Sequence, residues 1–196
     1  MNFNKAVFLR SFGTADQLPP HNGVELVFCG RSNVGKSSLI NKLCRRNGLA
    51  KVSSSPGKTT TINYFELDKG FFLVDLPGYG YAKRSQAEKE RWAKLMQRYF
   101  DTLPQSALVI QLVDSRHAPS VDDISMLELV AKKKLRCLVV LTKIDKLNKT
   151  EYKTRMDYFD EFLQKYSIND YLPFTINGDD CAQQLREKMS SMIDEC

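Results

Sequence analysis

Gly30, Arg31, Ser32, Asn33, Val34, Gly35, Lys36 and Ser37 have the spacing of a phosphate-binding loop. Glycines at such positions let backbone N–H groups curl around phosphate oxygens, and the helix-compatible run S-L-I-N-K-L-C-R-R that follows adds the positive end of a helix dipole. Lys36 would reach the β- and γ-phosphates, and Ser37 would offer its hydroxyl to Mg²⁺. A second motif, Asp75, Leu76, Pro77 and Gly78, closes an apolar run. An acidic residue there can hold Mg²⁺ through water while a glycine N–H meets a γ-phosphate. A third, Thr142, Lys143, Ile144 and Asp145, closes another apolar run. Asp145 would accept hydrogen bonds from N1–H and the exocyclic amine of guanine, with the stem of Lys143 covering the ring. Adenine lacks that donor pair and would leave the carboxylate unpaired.

Each motif alone has a plainer reading: a glycine turn, a capped strand end, a Lys–Asp pair. Their order decides, because all three follow strand-like runs, and open α/β sheets bind ligands at strand ends. Strands are predicted at 24–29, 62–67, 71–76, 107–113, 137–142 and 172–176. Several are continuous in Val, Leu, Ile and Phe, the mark of strands buried on both faces of a parallel sheet. The gap Asp68-Lys69-Gly70 is too short for a crossover helix, so the strands flanking it form an antiparallel hairpin.

Helices alternate with the strands. The clearest spans 86–103, where Ser85 and Glu88 form a capping box and Trp92, Leu95, Met96, Tyr99, Phe100 and Leu103 recur at helical spacing. Others follow Ser120, with Asp123 as box partner, occupy 149–166, and follow Asp180. The expected fold is α/β: one doubly wound domain with a mostly parallel six-stranded sheet, one antiparallel hairpin strand and helices on both faces. Residues 1–22 read as an N-terminal extension and 23–196 as the domain. Residues 47–61 lack an apolar period, as a functional loop ordered by ligand would.

The net charge of +6 points to an anionic partner. Five cysteines without a Cys-x-x-Cys spacing suit a reducing compartment and give no zinc pattern. No apolar run is long enough to span a bilayer, and residues 1–10 lack a signal-peptide core. The expectation is a cytoplasmic monomer without a membrane partner.

Together, G-R-S-N-V-G-K-S, P-G-K-T-T, D-L-P-G-Y-G-Y-A and T-K-I-D resemble the EngB family (also called YihA or YsxC) of bacterial GTP-binding proteins. The likeness spans about residues 5 to 190 and places the chain with the translation-factor-related GTPases, beside TrmE, Era, EngA and the septins. It implies a Ras-like P-loop GTPase domain that binds GTP and GDP with Mg²⁺. It further implies association with the large ribosomal subunit during assembly and a need for the protein in cell division and septation.

Carried onto this chain, the resemblance makes Gly57, Lys58, Thr59, Thr60 and Thr61 the first switch. Thr59 matches the Mg²⁺-binding threonine, with Thr60 and Thr61 as alternatives. Lys36 and Thr59 become the catalytic candidates, and Ser37 and Thr59 the metal ligands. Phe174, Thr175 and Ile176 fall where a backbone group meets guanine O6. Thr142 replaces the more common asparagine, and its hydroxyl can still bond the neighbouring loop.

Asn33 resembles the asparagine of GTPases that hold K⁺ beside the phosphates. Tyr79 stands where many GTPases carry a water-positioning glutamine, which implies slow intrinsic hydrolysis supplemented by a partner, K⁺ or a rearranged loop.

For a ribosomal partner, Tyr79, Tyr81, Lys83 and Arg84 would offer stacking and charge to RNA. Arg45, Arg46, Lys51, Arg91, Lys94 and Arg98 would meet rRNA phosphates. Two other functions compete: a P-loop ATPase or kinase, for which no inserted lid segment is evident, and a non-catalytic GTP-dependent module binding a division partner.

Overall fold

The computed structural model describes residues 1–51, 61–80 and 85–194. Its strands are β1 (Val7–Phe12), β2 (Val24–Gly30), β3 (Ile62–Asp68), β4 (Phe71–Asp75), β5 (Leu108–Asp114), β6 (Arg136–Thr142) and β7 (Tyr171–Pro173). Its helices are α1 (Lys36–Leu43), α2 (Gln86–Thr102), α3 (Val121–Lys132), α4 (Lys149–Gln164) and α5 (Asp179–Asp194). The strands form one sheet in the order β1-β3-β4-β2-β5-β6-β7. The pairs from β4 to β7 are parallel, whereas β1–β3 and β3–β4 are antiparallel.

Alternation along the central strands builds three apolar clusters among the described residues. Leu26 and Phe28 of β2 pack with Leu39, Ile40 and Leu43 of α1 and Leu185 and Met189 of α5. Val27 and Cys29 join Leu95, Met96 and Tyr99 of α2 and Met126 of α3 on the other face. Val139 and Leu141 of β6 pack with Phe159 and Leu163 of α4. Period-two strands between amphipathic helices bury apolar surface on both faces, which is the doubly wound solution.

The hairpin joins Asp68 to Phe71 through Lys69 and Gly70. The expected capping boxes at Ser85 and Ser120 are both present, and Asn148 with Glu151 adds a third at α4.

Among the described residues the sheet has seven strands rather than the expected six. β1 escapes a sequence reading because it is an edge strand with five of six side chains exposed, so it carries no inward apolar alternation. β7 is also shorter than the predicted 172–176. It ends at Pro173, and Phe174 N–H donates to Leu141 O at 2.8 Å as the chain turns along the end of β6.

A polar cluster braces β2 upstream of its functional end. Glu25, only 1% exposed, accepts from Tyr99 Oη at 2.7 Å and Tyr64 Oη at 3.3 Å, and its carboxylate lies 2.6 Å from His21 Nδ1. Burying a carboxyl is costly unless such partners compensate. Replacing Tyr99 by Phe leaves the ring but strips one partner, with an expected cost of about 1–3 kcal/mol. Denaturant unfolding should show a lowered midpoint with an unchanged m-value.

Candidate nucleotide site

Four adjacent parallel strands, β4, β2, β5 and β6, end on the same edge of the sheet. They deliver Asp75, the loop starting at Gly30, Asp114 and Thr142 to one rim, the usual ligand position in an open α/β sheet. The loop turns into α1 through Gly35, whose φ of +106° is a left-handed conformation that suits glycine. Lys36 is the first residue of α1, followed by Ser37.

The Lys36 ammonium forms an ion pair with Asp75 Oδ1, with side chains only 9% and 5% exposed. The other Asp75 oxygen accepts from Asn63 Nδ2 at 3.4 Å. The two strand ends are also tied by Leu76 N–H to Phe28 O at 3.0 Å. Thus the first two motifs meet through their charged residues.

Gly78 lies flat against the phosphate loop. A Cβ there would stand 3.1 Å from Ser32 N and 3.2 Å from Ser32 Cα, too close for an ordinary contact. Ser32 N–H donates to Tyr79 O at 2.9 Å, and Tyr79 N–H donates to Gly30 O at 3.3 Å.

The Tyr79 side chain is 5% exposed and donates to Asp123 Oδ1 at 2.9 Å. Burial, with Cys29 and Asp123 nearby, pushes its phenol far above the usual range, so it stays a neutral donor. The expectation of Tyr79 as an RNA-stacking surface is therefore overturned by its burial. Tyr81, Lys83 and Arg84 lie outside the described residues.

The base-reading candidates grip the phosphate loop. Thr142 Oγ1 donates to Val34 O at 2.9 Å, the neighbouring-loop bond expected of that hydroxyl. Lys143, at φ +64°, sends its ammonium to Asn33 O at 2.8 Å and to Asp114 Oδ2 at 2.9 Å. Arg116 Nε and Nη2 hold the same Asp114 carboxylate at 2.9 and 2.8 Å. Burial favours protonating Asp114, but the bonds from Arg116 and Lys143 outweigh it and hold the carboxyl well below its usual range.

Asp145 accepts from Thr175 Oγ1 at 3.0 Å and Asn177 Nδ2 at 3.2 Å. Burial raises its pKa, but Thr175 and Lys146 prevail and keep it lowered. It is thus held as an acceptor.

Not every predicted contact residue presents its side chain. Phe174 is 2% exposed and packs in the core with α5, and Val34 and Leu76 are likewise core residues. Any ligand contact from these three would come from backbone, because their side chains are committed to packing. Ile176 is half exposed, and Ile144 is partly buried.

Gly57, Lys58, Thr59 and Thr60 lie outside the described residues. Thr61, just before β3, donates to Asn63 Oδ1 at 3.1 Å. Upstream, Asn41 of α1 exchanges hydrogen bonds with Ala50 N and O at 2.7 and 2.9 Å.

Sequence reading missed Asp114, Arg116 and Asn177. For Asp114 a signal existed: like Asp75, it is the acidic residue that ends a largely apolar strand.

A loop built for phosphate, clasped by a second loop that offers a fixed carboxylate, is the arrangement of a P-loop GTPase domain. Residues 25–143 match the family model described as 50S ribosome-binding GTPase. The chain is 48% identical over 174 residues to the probable GTP-binding protein EngB of Clostridium beijerinckii, covering 89% of this chain and 87% of that one. It is 52% identical over 134 residues to the EngB protein of Syntrophomonas wolfei, covering 68% and 69%.

Among solved structures, a probable GTP-binding protein engB superposes with a TM-score of 0.71 at 22% identity, over 88% of this chain and 100% of that one. Era bound to MgGDPNP and nucleotides 1506-1542 of 16S ribosomal RNA gives 0.64 at 20% identity, over 89% and 57%. These two likenesses bear on the fold. The chain belongs to the EngB family of GTP-binding proteins.

The depressed Asp114 pKa gives a pH prediction. An aspartate whose folded pKa lies below its unfolded value of about 3.9 contributes stability that is full above that value and lost as pH falls through the folded pKa. Asp114→Asn should therefore flatten the acid limb of the stability profile below about pH 4. An acid limb identical to the wild type would contradict the assignment.

Proposed function

We propose that this chain is a GTP-hydrolysing switch that acts on the large ribosomal subunit during its assembly. The observation that carries the reading is the buried Lys36–Asp75 pair at the mouth of the phosphate loop. A bound nucleotide would take over both charges, the lysine passing to phosphate oxygens and the aspartate to the metal. Hard oxygen donors, the Ser37 hydroxyl and the Asp75 carboxylate, suit Mg²⁺ held jointly with phosphates. When bound, the ion would supply positive charge against the β- and γ-oxygens. Thr59 would add a further hydroxyl, with Thr60 and Thr61 as alternatives.

Asp145, already an acceptor for two side-chain donors, would exchange them for the donor pair of guanine. The backbone at Thr175 and Ile176 would meet O6. This supports GTP over the ATPase or kinase reading. Competition binding tests it: Asp145→Asn should lose at least about tenfold in GDP affinity, because a paired donor set loses its charged acceptor. ATP competing as well as GTP against the wild type would sink the assignment.

Hydrolysis would be slow in isolation, since the residue after the sensor glycine is a tyrosine with its hydroxyl engaged elsewhere. K⁺ beside Asn33 or a partner would supply what is missing. Equal turnover in K⁺ and Na⁺ buffers would remove the ion. Negligible turnover even with ribosomal particles would favour a non-catalytic GTP-dependent module instead.

Support for a ribosomal partner comes from the matched family description, from Era as an RNA-bound structural neighbour, and from the +6 charge. Arg91, Lys94 and Arg98 are exposed on α2. Arg46 is a weaker candidate than expected, because its guanidinium donates to Ala6 O at 2.6 Å. By the family resemblance the protein would also be needed for normal cell division and septation, acting in the cytoplasm as a monomer.

Co-sedimentation with large ribosomal subunits, in GDP and in a non-hydrolysable GTP analogue across a salt series, tests the switch. Retention is expected to differ between the nucleotides and to fall with salt. Nucleotide-independent retention would count against a switch.

A further inference from the structure

Tyr79 follows the sensor glycine, yet its side chain turns into the protein. Its backbone is stitched to the phosphate loop at Gly30 and Ser32. Its hydroxyl enters a socket between β5 and α3, donating to Asp123 Oδ1 at 2.9 Å and accepting from Gln111 Nε2 at 3.3 Å.

The socket is itself rigid. Gln111, fully buried in the middle of β5, also donates to Asp123 O at 2.8 Å. The second oxygen of Asp123 takes Ser120 N–H at 2.9 Å and Ser120 Oγ at 2.6 Å, closing the capping box of α3. Asp123 is only 3% exposed. A hydrogen bond to a buried carboxylate in such surroundings is strong, and losing it leaves the acceptor short of a partner.

We propose that Tyr79 is a positioning residue whose hydroxyl anchors the sensor segment to α3, holding the Gly78 N–H where a γ-phosphate would meet it. A loop already fixed in its binding geometry loses less entropy on meeting its ligand. Gly78 is one residue away along a backbone bound on both sides, so slack at Tyr79 becomes misplacement at Gly78. Only a nucleotide carrying a γ-phosphate would report that misplacement. GDP, held by the phosphate loop and the base-reading residues, would not.

The inference rests on the reading of Gly78 as the γ-phosphate sensor, and the test separates the two. Tyr79→Phe keeps the ring in its socket and removes the hydroxyl. Gly78→Ala puts a methyl group against the Ser32 backbone. Titration calorimetry with Mg²⁺ would give affinities for GDP and for a non-hydrolysable GTP analogue, with melting of each nucleotide-free protein as a check on folding.

Tyr79→Phe is expected to weaken the analogue about tenfold, the scale of one lost bond to a charged group. Its GDP affinity should stay within about twofold, because a coupling specific to the γ-phosphate leaves the diphosphate unaffected. A merely destabilised protein would lose affinity for both. If Gly78→Ala loses the analogue selectively while Tyr79→Phe changes both nucleotides equally or neither, the anchor is overturned and the sensor stands. If Gly78→Ala leaves analogue affinity unchanged, the sensor reading fails and the anchor falls with it.

Discussion

A lysine and an aspartate, each less than a tenth exposed, meet at the junction of β2 and β4, and the rim of the sheet is organised around that contact. Neither charge could be buried alone, because an unpaired ion in a dry site costs several kcal/mol, on the order of 3–5 when one partner is removed. The pair brings the phosphate loop and the Asp75 segment together without a ligand. Under the proposed function it is also the contact that a phosphate and a divalent cation would replace charge for charge.

The second constraint is the clasp between β6 and the phosphate loop. Successive residues, Thr142 and Lys143, bond the successive carbonyls of Val34 and Asn33, which ties the two loops together. Asp114, gripped by Arg116, keeps the lysine in that pose. Parallel register supplies the spacing, since Asp114 and Thr142 are paired across β5 and β6. The loop proposed to hold phosphate and the loop proposed to read the base are therefore physically joined, and the join arises from strand order.

Much of this was legible in the sequence because it depends on local spacing. The phosphate loop, the Asp75 strand end, the hairpin at Lys69 and Gly70 and the capping boxes at Ser85 and Ser120 are all written within a few residues. What stayed hidden depends on contacts between distant segments. β1 has an exposed face and no period to read, and the Asp114–Lys143 and Tyr79–Asp123 bonds join positions far apart in the chain. Phe174 stands in the stretch expected to meet a ligand through backbone, while its side chain enters the core, where a phenylalanine beside a buried strand end gains most. The burial of Tyr79 likewise turns a residue that resembled an exposed aromatic into part of the framework.

On the proposed function, Lys36 and Asp75 would exchange each other for phosphate and metal when nucleotide binds. A crystal structure with Mg²⁺ and a non-hydrolysable GTP analogue tests it directly. In that complex the Lys36 ammonium is expected on phosphate oxygens, with Asp75 facing the hydration shell of the ion and the clasp from Thr142 and Lys143 intact. A complex in which nucleotide is bound while Lys36 remains paired with Asp75 would contradict it.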